Sequence, residues 1–273
     1  MQREESRTEN PKSAIELYQI AKRHGVWDPE LIPVAEDRRD WERLTFEQRE
    51  QLVKICSLFY EGEASVADTL PWWMIAMPNP DRRMFLATQV LEEVKHTEFF
   101  ARYFREVLGD VDTTSYLTAE YRRVLVDDLR ARGRAIGSAL LRSDAAELER
   151  ALVLGFAHYM GVIEGMMAVS GYDYFDEMLR IQGIFPQLLE GIRLIRADEG
   201  RHITHGMDYL REKVAEGSGY AEAVRQLFTQ ESSKIPARTD FVFEPNGFGL
   251  DRGRMMTIAY QHLQQRSREI GLT

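Results

Sequence analysis

The chain has 273 residues, 44% hydrophobic and 29% charged, with a net charge of −9. These are the proportions of an ordinary folded protein, and the acidic balance excludes a nucleic-acid binder, which would carry a basic face. Its one cysteine, Cys56, excludes an internal disulfide and suits a reducing cytoplasm.

In chain order the sequence predicts helices throughout. The polar stretch 1–12 has no apolar core, so it is expected to be a flexible tail and not a signal peptide. Residues 13–273 are expected to form a single helical domain. SAIELYQIAKRHG has helical spacing and stops at Gly25. After the connector VWDPELIP, Thr45 with Gln48 three residues on reads as a capping box for a long helix. Pro71, Pro78 and Pro80 are expected to break or bend the chain at the end of that helix. Asp81 is the expected N-cap of a helix that ends at Gly109. A shorter amphipathic helix is expected over 115–132, an apolar one over 144–171, and a brief piece at GYDYFDEML. A long helix begins near Pro186, and two more lie near 219–234 and 251–268. TDFVFEPNGFG reads as a loop or a short strand pair.

The stretch ALVLGFAHYMGVIEGMMAVSG is long enough to cross a bilayer. Glu164 near its middle would be costly in lipid, so the expectation is a helix buried within a bundle and no transmembrane segment.

Two pairs, Glu93 with His96 and Glu199 with His202, repeat the spacing Glu-x-x-His. At three residues apart, both side chains of a pair lie on one helix face. Two such pairs, with one further Glu from each of two other helices, make the dimetal site of a ferritin-like four-helix bundle. Glu164 is the only acid between residues 151 and 171, and burying it unpaired would cost several kcal/mol. Glu63 is the fourth acid, with Glu61 as its rival. Asp198 precedes a ligand and is expected to accept a hydrogen bond from a ligating imidazole. His205, three residues after His202, is expected to be an ordinary surface or hydrogen-bonded histidine rather than an extra ligand, and Glu92 and Glu98 to face solvent. The alternative for each motif taken singly is a solvated or core residue. Two copies, each preceded by an isolated buried acid at a similar interval, favour the metal site.

The series Glu63, Glu93-x-x-His96, Glu164, Asp198-Glu199-x-x-His202 resembles the ribonucleotide reductase small-subunit superfamily over roughly residues 25–235. Within it the chain is most similar to ligand-binding oxidases that hold a manganese–iron pair. In those oxidases a valine three residues after the first ligand is joined by an ether bond to a tyrosine five residues before the fourth. Val66 and Tyr159 stand at those positions. Phe100 stands where many reductases have their radical tyrosine. Trp27 matches the reductases' electron-entry tryptophan, or simply packs beneath the site.

The resemblance implies an oxygen-dependent oxidoreductase with a Mn/Fe or Fe/Fe centre. It implies two-electron C–H oxidation forming the Val66–Tyr159 link. It also implies a bound long-chain fatty acid and a homodimer. Metal one would be held by Glu63, Glu93 and His96, and metal two by Glu164, Glu199 and His202, with Glu93 bridging. Gly155, Gly161 and Gly165 are expected to leave room for the ligand, with Met160, Met166 and Met167 as its walls. The alternatives are a reductase small subunit using a metal-centred oxidant, a metal-storage protein, and a helical scaffold without catalysis.

Overall fold

The computed structural model describes residues 12–217 and 219–272. The expected tail over 1–12 lies outside them but for Lys12. The fold is entirely helical among the described residues, and TDFVFEPNGFG contributes no strand.

Helix α1 spans Ala14–His24 and carries a complete Ser13–Glu16 capping box. The short α2 spans Arg38–Arg43. Helix α3, Phe46–Ala76, starts at the expected Thr45–Gln48 box. It runs through Pro71 instead of breaking there. Helix α4 spans Pro80–Tyr103; its cap is Asn79, not Asp81, because Pro80 takes the first helical position, where a missing N–H costs nothing. A π-helical turn, Phe104–Leu108, then leads to Gly109 at φ 98°.

The helix expected over 115–132 starts later and runs further. Its pieces are α5 (Ala119–Arg122), a π turn, and α6 (Asp128–Leu141). Next comes one continuous 36-residue helix, Ala145–Arg180. It comprises α7 (Ala145–Phe156), a long π segment (Ala157–Ala168), α8 (Val169–Phe175) and a π turn. Length and composition would let it cross a membrane, but its most apolar window is 78% buried within the protein. Helices α9 (Pro186–Ala215), α10 (Tyr220–Ser232), α11 (Ile235–Val242) and α12 (Arg252–Glu269) complete the chain.

Four of these surround the site. α3 packs along α4, α9 packs on α4, and the π segment packs on α9. The glycines of the apolar helix serve this packing rather than a ligand. A Cβ at Gly155 would lie 2.7 Å from the Trp73 ring, at Gly161 2.6 Å from Phe228, and at Gly165 2.8 Å from Arg266. Met160 likewise fills the space over Gly206.

The start of α9 is fixed from outside. Phe185, at a left-handed φ of 55°, donates its N–H to Asp40. The N–H groups of Gln187 and Leu188 donate to Asp37 at 3.1 and 2.8 Å. These are the free donors at a helix N-terminus, where a carboxylate is also favoured by the helix dipole. Tyr103 of α4 donates to the same Asp37 at 2.9 Å. The helix that carries Asp198, Glu199 and His202 is thereby locked to α4, which carries Glu93 and His96.

Candidate dimetal site

Glu63 on α3, Glu93 and His96 on α4, Glu164 on the π segment, and Glu199 and His202 on α9 converge in the core. All six are buried. Their ligand atoms form two overlapping groups: Glu63, Glu93, His96 and Glu199, and Glu93, Glu164, Glu199 and His202. Glu199 is therefore shared as well as Glu93, where the sequence suggested Glu93 alone. Glu61, the rival of Glu63, turns away and accepts a hydrogen bond from Thr113.

Both imidazoles aim Nδ1 inward. His96 Nδ1 is 3.5 Å from Glu63, 3.6 Å from Glu93 and 3.5 Å from Glu199. His202 Nδ1 is 3.1 Å from Glu93 and 3.5 Å from both Glu164 and Glu199. The outward nitrogens cross to the opposite half: His96 Nε2 is 3.3 Å from Asp198, and His202 Nε2 is 2.8 Å from Glu92. Asp198 is thus where the sequence placed it. Glu92 is not: it is 2% exposed and orients His202. The sequence held the signal, since Glu92 precedes Glu93 as Asp198 precedes Glu199. Glu98 is half-buried rather than exposed.

Trp27 does more than pack. Its Nε1 donates to Asp198 at 2.7 Å, and its ring stacks on His96 at 6.1 Å. A hydrogen-bonded chain thus joins Trp27 to His96 through Asp198. The His205 side chain is neither exposed nor hydrogen-bonded. It lies between Phe85 and Phe156, with no partner for either ring nitrogen. Burial, then the charge of Arg82, holds it well below the usual histidine range, so it stays neutral.

Tyr159 donates to Glu93 at 2.7 Å and accepts from Gln89 at 2.9 Å. The π winding brings it there. Five residues of α-helix would turn Tyr159 about 140° away from Glu164. A π-helix closes its bonds over five residues, so Tyr159 and Glu164 stack on one face. Sequence reading at the α period cannot see this. Gln89 was also missed, although it lies one turn before Glu93 and so on the same face.

The charges also fit a metal site. Burial pushes Glu63 and Glu164 well above the usual carboxylate range. Burial acts on Glu93 in the same sense, but the facing imidazoles of His202 and His96 outweigh it and hold Glu93 well down. Burial lowers both histidines, and it is outweighed by Asp198, Glu199 and Glu63 around His96 and chiefly by Glu164 around His202, so both are raised. The metal-free core therefore holds protons among its acids and imidazoles. Several atoms still have no hydrogen-bond partner: His96 Nδ1, His202 Nδ1, Glu164 Oε2 and Glu199 Oε2. Buried donor atoms left unmet, all aimed at two shared centres, are what two divalent cations would satisfy. Iron and manganese both accept this carboxylate and imidazole set.

A cavity of about 110 Å³ opens beside the cluster. Glu63, Glu93, Glu164 and Glu199 line it, together with Val66, Met166 and Met167. Arg238 and Thr239 of α11 also line it. Of the predicted walls, Met160 is absent, being packed on Gly206.

The family model for the ribonucleotide reductase small chain matches residues 10–234. An R2-like ligand-binding oxidase with aerobically reconstituted metal cofactor after photoconversion has a similar structure. Its TM-score is 0.85 at 25% identity, covering 96% of this chain and 94% of that one. A tyrosine-to-phenylalanine mutant of such an oxidase, with aerobically reconstituted Mn/Fe cofactor, scores 0.84 at 26% identity, with the same coverage. Valine-to-leucine and valine-to-alanine mutants, the latter anaerobically reconstituted, also score 0.84 at 26% identity. With its six-residue cluster assembled on four helices and the family model spanning most of its length, the chain belongs to the ribonucleotide reductase small-chain family.

Proposed function

We propose that the protein is a dimetal-carboxylate oxidase of the ligand-binding type. It would hold a Mn/Fe pair, with Fe/Fe as the alternative loading, and use dioxygen. Glu63 and His96 would serve one metal, Glu164 and His202 the other, with Glu93 and Glu199 between them. When bound, such a pair supplies a two-electron oxidant derived from dioxygen.

The observation that carries this reading is the hydrogen bond from Tyr159 to Glu93, an acid common to both ligand groups. Burial, then the charges of Glu164 and Glu93, raises the Tyr159 phenol well above its usual range, so it stays protonated. Gln89 and Glu93 fix its oxygen. Val66 lines the cavity beside the same acid. Joining Val66 Cβ to the Tyr159 oxygen breaks one C–H and one O–H bond and releases two protons and two electrons. Both protons and both electrons would pass to the oxidant derived from dioxygen, while Gln89 and Glu93 hold the phenol oxygen in place.

The cavity would take the carboxylate of a long-chain fatty acid toward the metals and its tail between apolar walls. Its volume is short of a whole long chain. Admission therefore needs Met166 and Met167 to swing, as flexible thioether side chains can.

A homodimer is supported by Met84, Ala87, Leu91 and Val94. They form an exposed apolar stripe on α4 with the 3-4 spacing of a helix–helix seam.

One observation favours a second reading, a reductase small subunit with a metal-centred oxidant. It is the Trp27–Asp198–His96 chain, which suits electron entry.

The test is anaerobic titration with Mn(II) and Fe(II), followed by an oxygen electrode. The oxidase reading expects two metals per chain and consumption of dioxygen on exposure to air. Fewer than two, or no consumption, would sink it.

A further inference from the structure

One guanidinium nitrogen touches both carboxylates that orient the histidines. Arg201 Nη2 donates to Glu92 and to Asp198, and Arg201 is itself 8% exposed. The two carboxylates are otherwise unlike. Asp198 also accepts from Trp27 at 2.7 Å and has Lys95 Nζ at 3.7 Å. Among the described residues, Arg201 is the one Lys or Arg within 4.0 Å of Glu92. The backbone of Gly25 closes over this pair. A Cβ there would lie 2.0 Å from Glu92 and 3.0 Å from Arg201 Nη2, although its φ of −84° suits any residue.

We infer that Arg201 is a positioning residue that sets the metal affinity of the His202 half of the site, acting through Glu92. The inference rests on the dimetal reading of the site. A carboxylate on the outer nitrogen of a ligating histidine fixes the ring and strengthens it as a donor. Arg201 is the contact that holds the buried Glu92 carboxylate in place against His202. Without Arg201 the carboxylate is free to turn away, which deprives His202 of its acceptor. Asp198 would keep Trp27 and Lys95, so His96 would keep its own. Loss of one arginine that touches both halves should therefore weaken only one.

The test is stepwise Mn(II) titration of anaerobic protein, with anomalous diffraction at the manganese edge to show which half fills. R201Q should lower affinity at the His202 half by about 10–100-fold, with the His96 half changing far less. R201K, which keeps a cation, should recover most of the loss. E92Q should reproduce it, and E92Q combined with R201Q should be no weaker than E92Q alone, since both act through one contact. G25A leaves every ligand in place but crowds Glu92, and should shift the same half in the same direction. It carries the test with E92Q if R201Q does not fold. Equal weakening of both halves, or additive losses in the double variant, would overturn the inference. Failure of the unaltered protein to bind two metals would instead overturn the dimetal reading.

Discussion

Glu164 should destabilise the metal-free protein it serves. It is 3% exposed, and Oε2 meets no donor. Oε1 has a long contact with Gln89 at 3.4 Å and faces His202 Nδ1 at 3.5 Å. An unmet buried polar group costs about 1–3 kcal/mol, and the weak Gln89 bond offsets about 0.5–1 kcal/mol of that. Glu164→Met replaces the acid by an adaptable apolar chain of similar length. It should stabilise the metal-free protein by about 1–2 kcal/mol, or roughly 2–4 °C in melting temperature for a chain of this size.

The sign with pH follows from the raised pKa. The neutral acid is the form the fold tolerates. Its contribution is intact below the unfolded glutamate value of about 4.3 and is lost as pH rises through the higher folded value. The advantage of Glu164→Met should therefore widen from acid toward neutral and alkaline pH. With metal the order reverses, because a ligand at 100 times its Kd adds about 2.7 kcal/mol to the unaltered protein. Calorimetry in EDTA and in excess Mn(II), at several pH values, checks this. A variant that melts lower than the parent in EDTA would refute the reasoning.

Metal affinity should rise with pH, because Glu63, Glu164, His96 and His202 all hold protons more tightly than usual and metal must displace them. Competition titrations that release protons as metal enters would show it, and a pH-independent affinity would contradict it. Gly155→Ala forces a methyl against the buried Trp73 ring at 2.7 Å, and overpacking of this kind costs about 1–3 kcal/mol. Chemical denaturation should register that loss with metal stoichiometry unchanged. Placing Glu at both Leu91 and Val94, which are 60% and 49% exposed, should convert a dimer to a monomer in light scattering. An unchanged mass would remove α4 from the interface.

The six residues of the cluster are legible in the sequence because their chemistry is local. Glu-x-x-His reports a helix face, and an acid alone in an apolar helix needs a partner. The features that escape depend on contacts distant in sequence or on unusual winding. Asp37 gives no hint that it caps α9. The π segment has the composition of any buried helix, yet its winding decides where Tyr159 points. The glycines mislead because a missing Cβ shows room without showing what fills it. Here Trp73, Phe228 and Arg266 fill it. Glu92 misleads through its charge alone, although its place before Glu93 repeats that of Asp198 before Glu199.

Whether this site oxidises its own valine and tyrosine is tested most directly by tryptic mass mapping. Protein loaded with Mn(II) and Fe(II) and exposed to air is compared with protein kept anaerobic. Val66 falls in the peptide Ile55–Arg82 and Tyr159 in Ala151–Arg180. The expected result is one joined species, lighter by two hydrogens than the two peptides together, found only after air. Two separate peptides from aerated protein with both metals bound would contradict the oxidase reading and favour the reductase subunit.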